Sequence, residues 1–395
     1  MTISVRLIAA LGAMSATGFT SFAFAQQTNT SSANTCELHA DATLPLIESN
    51  GHYLVNVELN GIERPLYVDT SAEKTALTPE AADALNLPYD TSTEETINGL
   101  GSQAAPLNPR VLASLKLGTA QWSDLQVPGI GVHAFVARNG VQPAGVLGAN
   151  VLSRYDVELD FPHRTMTLYS AQNCLGRFAP WQGEYDSYSP IYTRTHRFVM
   201  QMALNHRPIL AILDTGAVPS LVSPNGAMHV GLDPTALAQD PLRTGFGINN
   251  TALSAYVHRF DTVQIGSRQY QNVDFQVSNT SFPTDMLLGM DFLKWRRVWL
   301  SYSTGWVFMQ LETPQLAART LHYPEPADWA NSSGTEHDTA IINQDGEPKP
   351  GPIAQFSSHS HMTYRSYPTI VQQSRLQPPP NGMVPLNSPL AHMGP

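Results

Sequence analysis

Residues 211–224 read Ala-Ile-Leu-Asp-Thr-Gly-Ala-Val-Pro-Ser-Leu-Val-Ser-Pro, an apolar run that delivers one carboxylate, Asp214, onto a Thr-Gly turn before a second apolar segment begins. Strand formers followed by Thr215 and Gly216 make a rigid turn that presents an acid. Residues 65–79, Pro-Leu-Tyr-Val-Asp-Thr-Ser-Ala-Glu-Lys-Thr-Ala-Leu-Thr-Pro, repeat the arrangement around Asp69. Two acids at matching places in two repeats, turned to face each other, would share a proton.

The repeat extends beyond the acids. At an offset of 145 residues, Leu59, Asn60, Asp69, Thr70, Ala72 and Pro79 meet identical residues at Leu204, Asn205, Asp214, Thr215, Ala217 and Pro224. Gly99 and Gly101 answer Gly245 and Gly247, and Val146-Leu147-Gly148 answers Leu287-Leu288-Gly289, always in the same order. Such internal repetition implies a duplicated structural unit. The expected boundaries are a first lobe at 50–175, a joining segment at 176–195 rich in Gly, Pro, Tyr and Ser, and a second lobe at 196–312. Alternating stretches such as 53–59 predict strands, Asn60-Gly61 a tight hairpin, and 81–87 a short helix stopped by Pro88.

Together these features resemble the Asp-Thr-Gly loops of the pepsin and retropepsin superfamily of aspartic proteases. The resemblance covers about residues 50 to 312 and implies an all-β protein of two tandem closed β-barrel lobes with short helices. It implies catalytic roles for Asp69 and Asp214, supporting loops at Thr70, Ser71, Thr215 and Gly216, and cross-bracing by the two threonine hydroxyls. It also implies substrate-covering flaps at Gly99, Leu100 and Gly101 and at Gly245, Phe246 and Gly247, working in one lobe or in both. Peptide hydrolysis by such a pair needs no metal and no cofactor, because one carboxylate serves as base and the other as acid. At one place the sequence departs from the pattern: Ser71 stands where the superfamily has glycine. A hydroxyl there fits or displaces the carboxylate, so an exported endopeptidase and an inactive peptide-binding scaffold both remain open.

Outside the repeat, residues 1–25 combine Arg6, an apolar stretch from Leu7 and Ala-Phe-Ala before Gln26, the pattern of a cleavable signal. A polar arm follows at 26–49. Export to the periplasm or beyond, with no membrane insertion after cleavage, is expected. The only cysteines are Cys36 and Cys174, and in an oxidising compartment one disulfide joins them. Residues 313–395, dense in Pro, Ser, Asn and Gln, predict a disordered tail, and His359 and His361 within it read as solvated rather than metal-ligating. A net charge of -10 without a Lys/Arg run excludes nucleic acid as a natural partner. No Gly-x-Ser-x-Gly or His-Glu-x-x-His occurs, against serine-hydrolase elbows and zincin helices. The expected partner is a peptide or protein substrate, and the expected state a monomer, since one chain holds both halves.

Overall fold

The structure, a computed structural model, describes residues 37–100, 102–103, 107–131, 141–172, 174, 179–247 and 251–311. The expected signal, Cys36, Gly101 and the tail lie outside the described residues.

Tight hairpins begin both repeats. Asn60 and Gly61 take positive φ, 48° and 83°, between the strands His52–Leu59 and Ile62–Val68. Asn205 and His206, at 46° and 62°, make the same turn between Phe198–Leu204 and Arg207–Leu213. Asparagine tolerates the left-handed region and turns its side chain to use. The Asn60 Oδ1 accepts the Ser114 amide at 2.9 Å and Asn205 Oδ1 that of Thr262 at 3.1 Å, pinning each turn to the next hairpin.

From each hairpin the chain builds a curled sheet. In the first lobe the order is Ala76–Leu77, Gly145–Leu147, Ile62–Val68, His52–Leu59, Arg110–Leu117, Ala120–Val127. Its ends are joined where Leu77 donates to Pro128 O at 3.1 Å and accepts from the Ile130 amide at 2.9 Å. In the second lobe the order is Ile191–Tyr192, Phe198–Leu204, Arg207–Leu213, Met286–Leu288, Leu221–Val222, Arg268–Ser278, Ala252–Ile265, Leu242–Phe246. An extra pairing of Phe198–Leu204 with Ala252–Ile265 closes it. Closure removes exposed edges and leaves the inward side chains to fill the interior. The protein is all-β, two curled lobes with a few short helices.

A six-stranded antiparallel sheet belongs to both halves: Glu37–Pro45, Thr165–Gln172, Asp156–Asp160, Arg296–Ser301, Trp306–Leu311, Asp186–Tyr188. Its central pairing, Val157 opposite Leu300 through Asp160 opposite Arg297, joins one repeat to the other. Five residues on this sheet and the segment before it, Ala179, Trp181, Trp299, Trp306 and Phe308, form a buried aromatic cluster separate from the main core. Glu158 is buried beside it, accepting from Trp181 Nε1 at 3.2 Å and Tyr169 OH at 3.0 Å and pairing with Arg297, so its charge is neither unpaired nor unbonded.

Three expectations of local structure shift. The short helix spans Pro79–Ala84 rather than 81–87, because Thr78 caps it by accepting the Ala81 amide at 3.0 Å and Pro79 suits its first turn. Part of the polar arm, Glu37–Pro45, is a strand paired with Thr165–Gln172. The joining segment likewise contributes strands, Asp186–Tyr188 to the shared sheet and Ile191–Tyr192 to the second lobe. Edge pairing supplied by a distant partner, which alternation in the segment itself does not record, accounts for both. Among the described residues, no helix is long and apolar enough to cross a membrane.

Candidate active site

Each acid stands at the end of a strand clamped between two others. Ile62–Val68 runs parallel to Gly145–Leu147, with Val68 beside Leu147, and the Asp69 amide then donates to Leu147 O at 3.1 Å. Arg207–Leu213 runs parallel to Met286–Leu288, and the Asp214 amide donates to Leu288 O at 3.0 Å. The turn after each acid is held from behind by a helical turn that follows the apolar-apolar-Gly element. Ala149 N donates to Ala72 O and Met290 N to Ala217 O, both at 2.8 Å. The Gly148 amide donates to Thr75 Oγ1 at 3.0 Å and the Gly289 amide to Ser220 Oγ at 2.9 Å. Those hydroxyls are in turn bound by Asn150 and Asp291.

The two loops meet through their threonines. Thr70 N donates to Thr215 Oγ1 at 3.0 Å, and Thr215 N to Thr70 Oγ1 at 3.1 Å. Each hydroxyl donates across to the strand before the other acid, Thr70 Oγ1 to Leu213 O and Thr215 Oγ1 to Val68 O, both at 2.7 Å. Both threonines are almost fully buried. Here buried backbone donors and acceptors that no sheet reaches find partners in the opposite lobe.

Around the carboxylates the amides of each turn converge. Asp214 Oδ1 accepts from Gly216 N at 2.8 Å and Ala217 N at 3.1 Å. Asp69 Oδ1 accepts from Ser71 N, Ser71 Oγ and Ala72 N, each at 2.9 Å. The loops approach so closely that a Cβ on Gly216 would stand 2.5 Å from Asp69 Oδ2 and 2.6 Å from its Cγ. Asp214, 4% exposed, is pushed from its ordinary 3.8 up to about 7, first by burial and then by the negative charge of Asp69. Burial also raises Asp69, opposed by the hydrogen bonds from Ser71 and Ala72. Two carboxylates this close cannot both ionise cheaply, so the pair holds one proton over a wide pH range.

The sequence reading missed one charged neighbour. Arg197, half-buried with Nε donating to Thr195 Oγ1 at 2.8 Å, lies within electrostatic reach of Glu73, Asp214 and Asp69. Its counterpart at the repeat offset is His52, which burial pulls from 6.5 down to about 4 and whose ring meets Tyr67 edge-on at 5.0 Å. The signal was available: both residues stand 17 positions before their acid, though unlike residue types conceal the correspondence. The neighbouring turns cross between lobes in the same way. A Cβ on Gly51 would stand 2.9 Å from Val218 Cγ1, and Val218 is the offset partner of Glu73.

The hairpins expected as flaps are present in both repeats. Asn98–Gly99 pairs with Ser102–Gln103 in a small hairpin, and Leu242–Phe246 pairs with Ala252–Tyr256 in a longer one. Their tips touch: a Cβ on Gly247 would overlap the carbonyl oxygen of Leu100. Phe246 and Leu242, 68% and 54% exposed, present an apolar face on the second hairpin. Both repeats therefore carry a hairpin, and the two are in contact.

Two family descriptions match the two halves separately. Residues 55–151 match a family described as "Aspartyl protease", and residues 200–295 one described as "gag-polyprotein putative aspartyl protease". Each repeat thus matches an aspartyl protease family. Solved structures similar to this aspartic-protease-like chain include a retropepsin-like aspartic protease from Rickettsia conorii, 24% identical, covering 29% of this chain and 88% of that one, with a TM-score of 0.24. Another is aspartic proteinase from Irpex lacteus, 12% identical, covering 70% of this chain and 97% of that one, with a TM-score of 0.40. No curated protein matches the chain.

Proposed function

We propose that the protein is an exported aspartic endopeptidase whose dyad, Asp69 and Asp214, activates water against a peptide bond. The observation that carries this reading is the convergence of the two loops, with Gly216 packed directly on the Asp69 carboxylate and the threonines exchanging hydrogen bonds across the join. A singly protonated pair holds a base and an acid at once. The ionised carboxylate takes a proton from water as its oxygen adds to the carbonyl carbon, and the protonated one gives its proton to the carbonyl oxygen. Collapse of the resulting gem-diol moves a proton onto the amide nitrogen and breaks the C–N bond. The peptide lies extended beneath the paired flaps, which exclude water.

The rival, a peptide-binding scaffold without turnover, rests on Ser71. Against it, the Ser71 amide makes the same bond to Asp69 as the Gly216 amide makes to Asp214, 2.9 and 2.8 Å. In this reading the chain acts as a monomer in the periplasm or outside the cell. A Cys36–Cys174 disulfide is part of it, supported by Cys174 Sγ lying 3.6 Å from the carbonyl oxygen of Glu37, the neighbour of Cys36. The test is cleavage of a mixed peptide pool at acid pH. Asp69→Asn and Asp214→Asn each reduce cleavage by about 10²–10⁴-fold, and a pepstatin-like mimic inhibits the parent. Undiminished cleavage by Asp214→Asn rejects the dyad.

A further inference from the structure

We propose that the Ser71 hydroxyl, in the place that Gly216 leaves empty in the second lobe, is a positioning residue that keeps Asp69 ionised as the base and leaves the shared proton on Asp214 as the acid. This deepens the endopeptidase reading and rests on it. Both acids accept two backbone amides from their own turn, Ser71 N and Ala72 N in one case, Gly216 N and Ala217 N in the other. What remains is one hydroxyl, donated by Ser71 Oγ to Asp69 Oδ1 at 2.9 Å. Gly216 has nothing to give in return.

A hydroxyl has a single proton to donate, and spending it on Asp69 favours the ionised form of that acid over the protonated form. The same hydroxyl also lowers Asp214, against the larger upward push of burial and of the Asp69 charge, so the bias toward Asp69 rests on the direct 2.9 Å bond from Ser71 Oγ to Asp69 Oδ1. The remaining charged groups around the pair do not undo this bias. Arg197 reaches both carboxylates and favours a single negative charge wherever it sits, while Glu73 also interacts with that guanidinium and partly offsets it. His52, at the equivalent place in the first lobe, is pulled down to about 4 by burial and so is neutral above that pH. Asp214 is also the more enclosed acid, 4% exposed where Asp69 is half-buried, so desolvation disfavours charge on it. In turnover Asp69 takes the proton from water and Asp214 gives one to the carbonyl oxygen, so the pair ends the addition step with its proton on Asp69.

The experiment is a carboxyl ¹³C NMR titration of the full chain labelled at aspartate, in the parent, Ser71→Ala and Ser71→Gly. Resonances are assigned by their disappearance in Asp69→Asn and Asp214→Asn. The parent gives two separated steps, the upper one on Asp214. In both Ser71 variants the Asp69 step moves up and the separation narrows. The acid limb of kcat/KM moves up with it, lowering activity at pH 4 by roughly tenfold through loss of one charge-assisted hydrogen bond. Glycine is the safeguard against misfolding, because the matching turn already holds Gly216. Unchanged separation in both variants, or an upper step on Asp69, overturns the proposal. Absence of cleavage by the parent with the titration as expected defeats the endopeptidase reading alone, so the two failures are distinct. A purely packing role for Ser71 lowers the melting temperature and leaves the separation where it was.

Discussion

The two catalytic turns, Asp69-Thr70-Ser71-Ala72 and Asp214-Thr215-Gly216-Ala217, are alike in everything that holds them and unlike in what surrounds their charge. Amide bonds to the acid, the crossed threonines and the helical turn behind each loop repeat to within a few tenths of an ångström. Against that, one turn donates a side-chain hydroxyl to its own acid and the other does not, and the residue 17 places upstream is a histidine in one lobe and an arginine in the other. Duplication preserved the scaffold and let the electrostatics diverge. A dimer of identical halves lacks that freedom, since every change appears twice.

The comparison is broken hardest at the glycine. Gly216→Ala places a Cβ 2.5 Å from Asp69 Oδ2, and either the acid or the loop must move. Such overpacking costs about 1–3 kcal/mol, and displacing a reacting group by ~1 Å costs on the order of 10²-fold in rate. Ser71→Gly, the reciprocal change, keeps the fold and most of the activity at the optimum. Kinetics and thermal unfolding of the two variants side by side check both statements; equal tolerance of both changes would show that the loops are farther apart than described.

Next in size is the threonine join, which tests sameness rather than difference. Thr70→Val orphans the Thr215 amide and Leu213 O, and Thr215→Val orphans the Thr70 amide and Val68 O. Each orphaned buried group costs about 1–3 kcal/mol. Denaturant unfolding should give near-equal losses for the single variants, with the double variant losing less than their sum because the two hydroxyls, 3.5 Å apart, touch and their losses couple. Unequal losses would mean the join is not two-fold in energy.

How much of this was legible beforehand follows the same division. Repeated order exposed both acids, both threonines and the supporting Val146-Leu147-Gly148 and Leu287-Leu288-Gly289 elements, because each occupies a geometry that few residues fit. Arg197 and Glu73 escaped notice because their offset partners, His52 and Val218, have different chemistry, and only the folded chain brings Arg197 near Asp69. The strand Glu37–Pro45 escaped for a different reason: its partner, Thr165–Gln172, is more than a hundred residues away and supplies the pairing that its own sequence does not announce.

The smallest effect is expected at the flaps. Gly247→Ala sets a methyl against Leu100 O and parts the tips. If both hairpins cover substrate together, KM rises severalfold with kcat little changed, because remote binding is weakened more than chemistry. An unaltered KM would mean that one hairpin alone suffices.

The most direct test of the central claim is the pH dependence of kcat/KM for the parent chain on a peptide that it cleaves. Burial and the Asp69 charge hold Asp214 at about 7, so the proton needed for carbonyl activation is present below that pH and lost above it. The account predicts a profile that is highest on the acid side and falls as pH climbs through about 7. A rate that stays constant or increases from pH 6 to pH 9 would contradict a dyad sharing one proton.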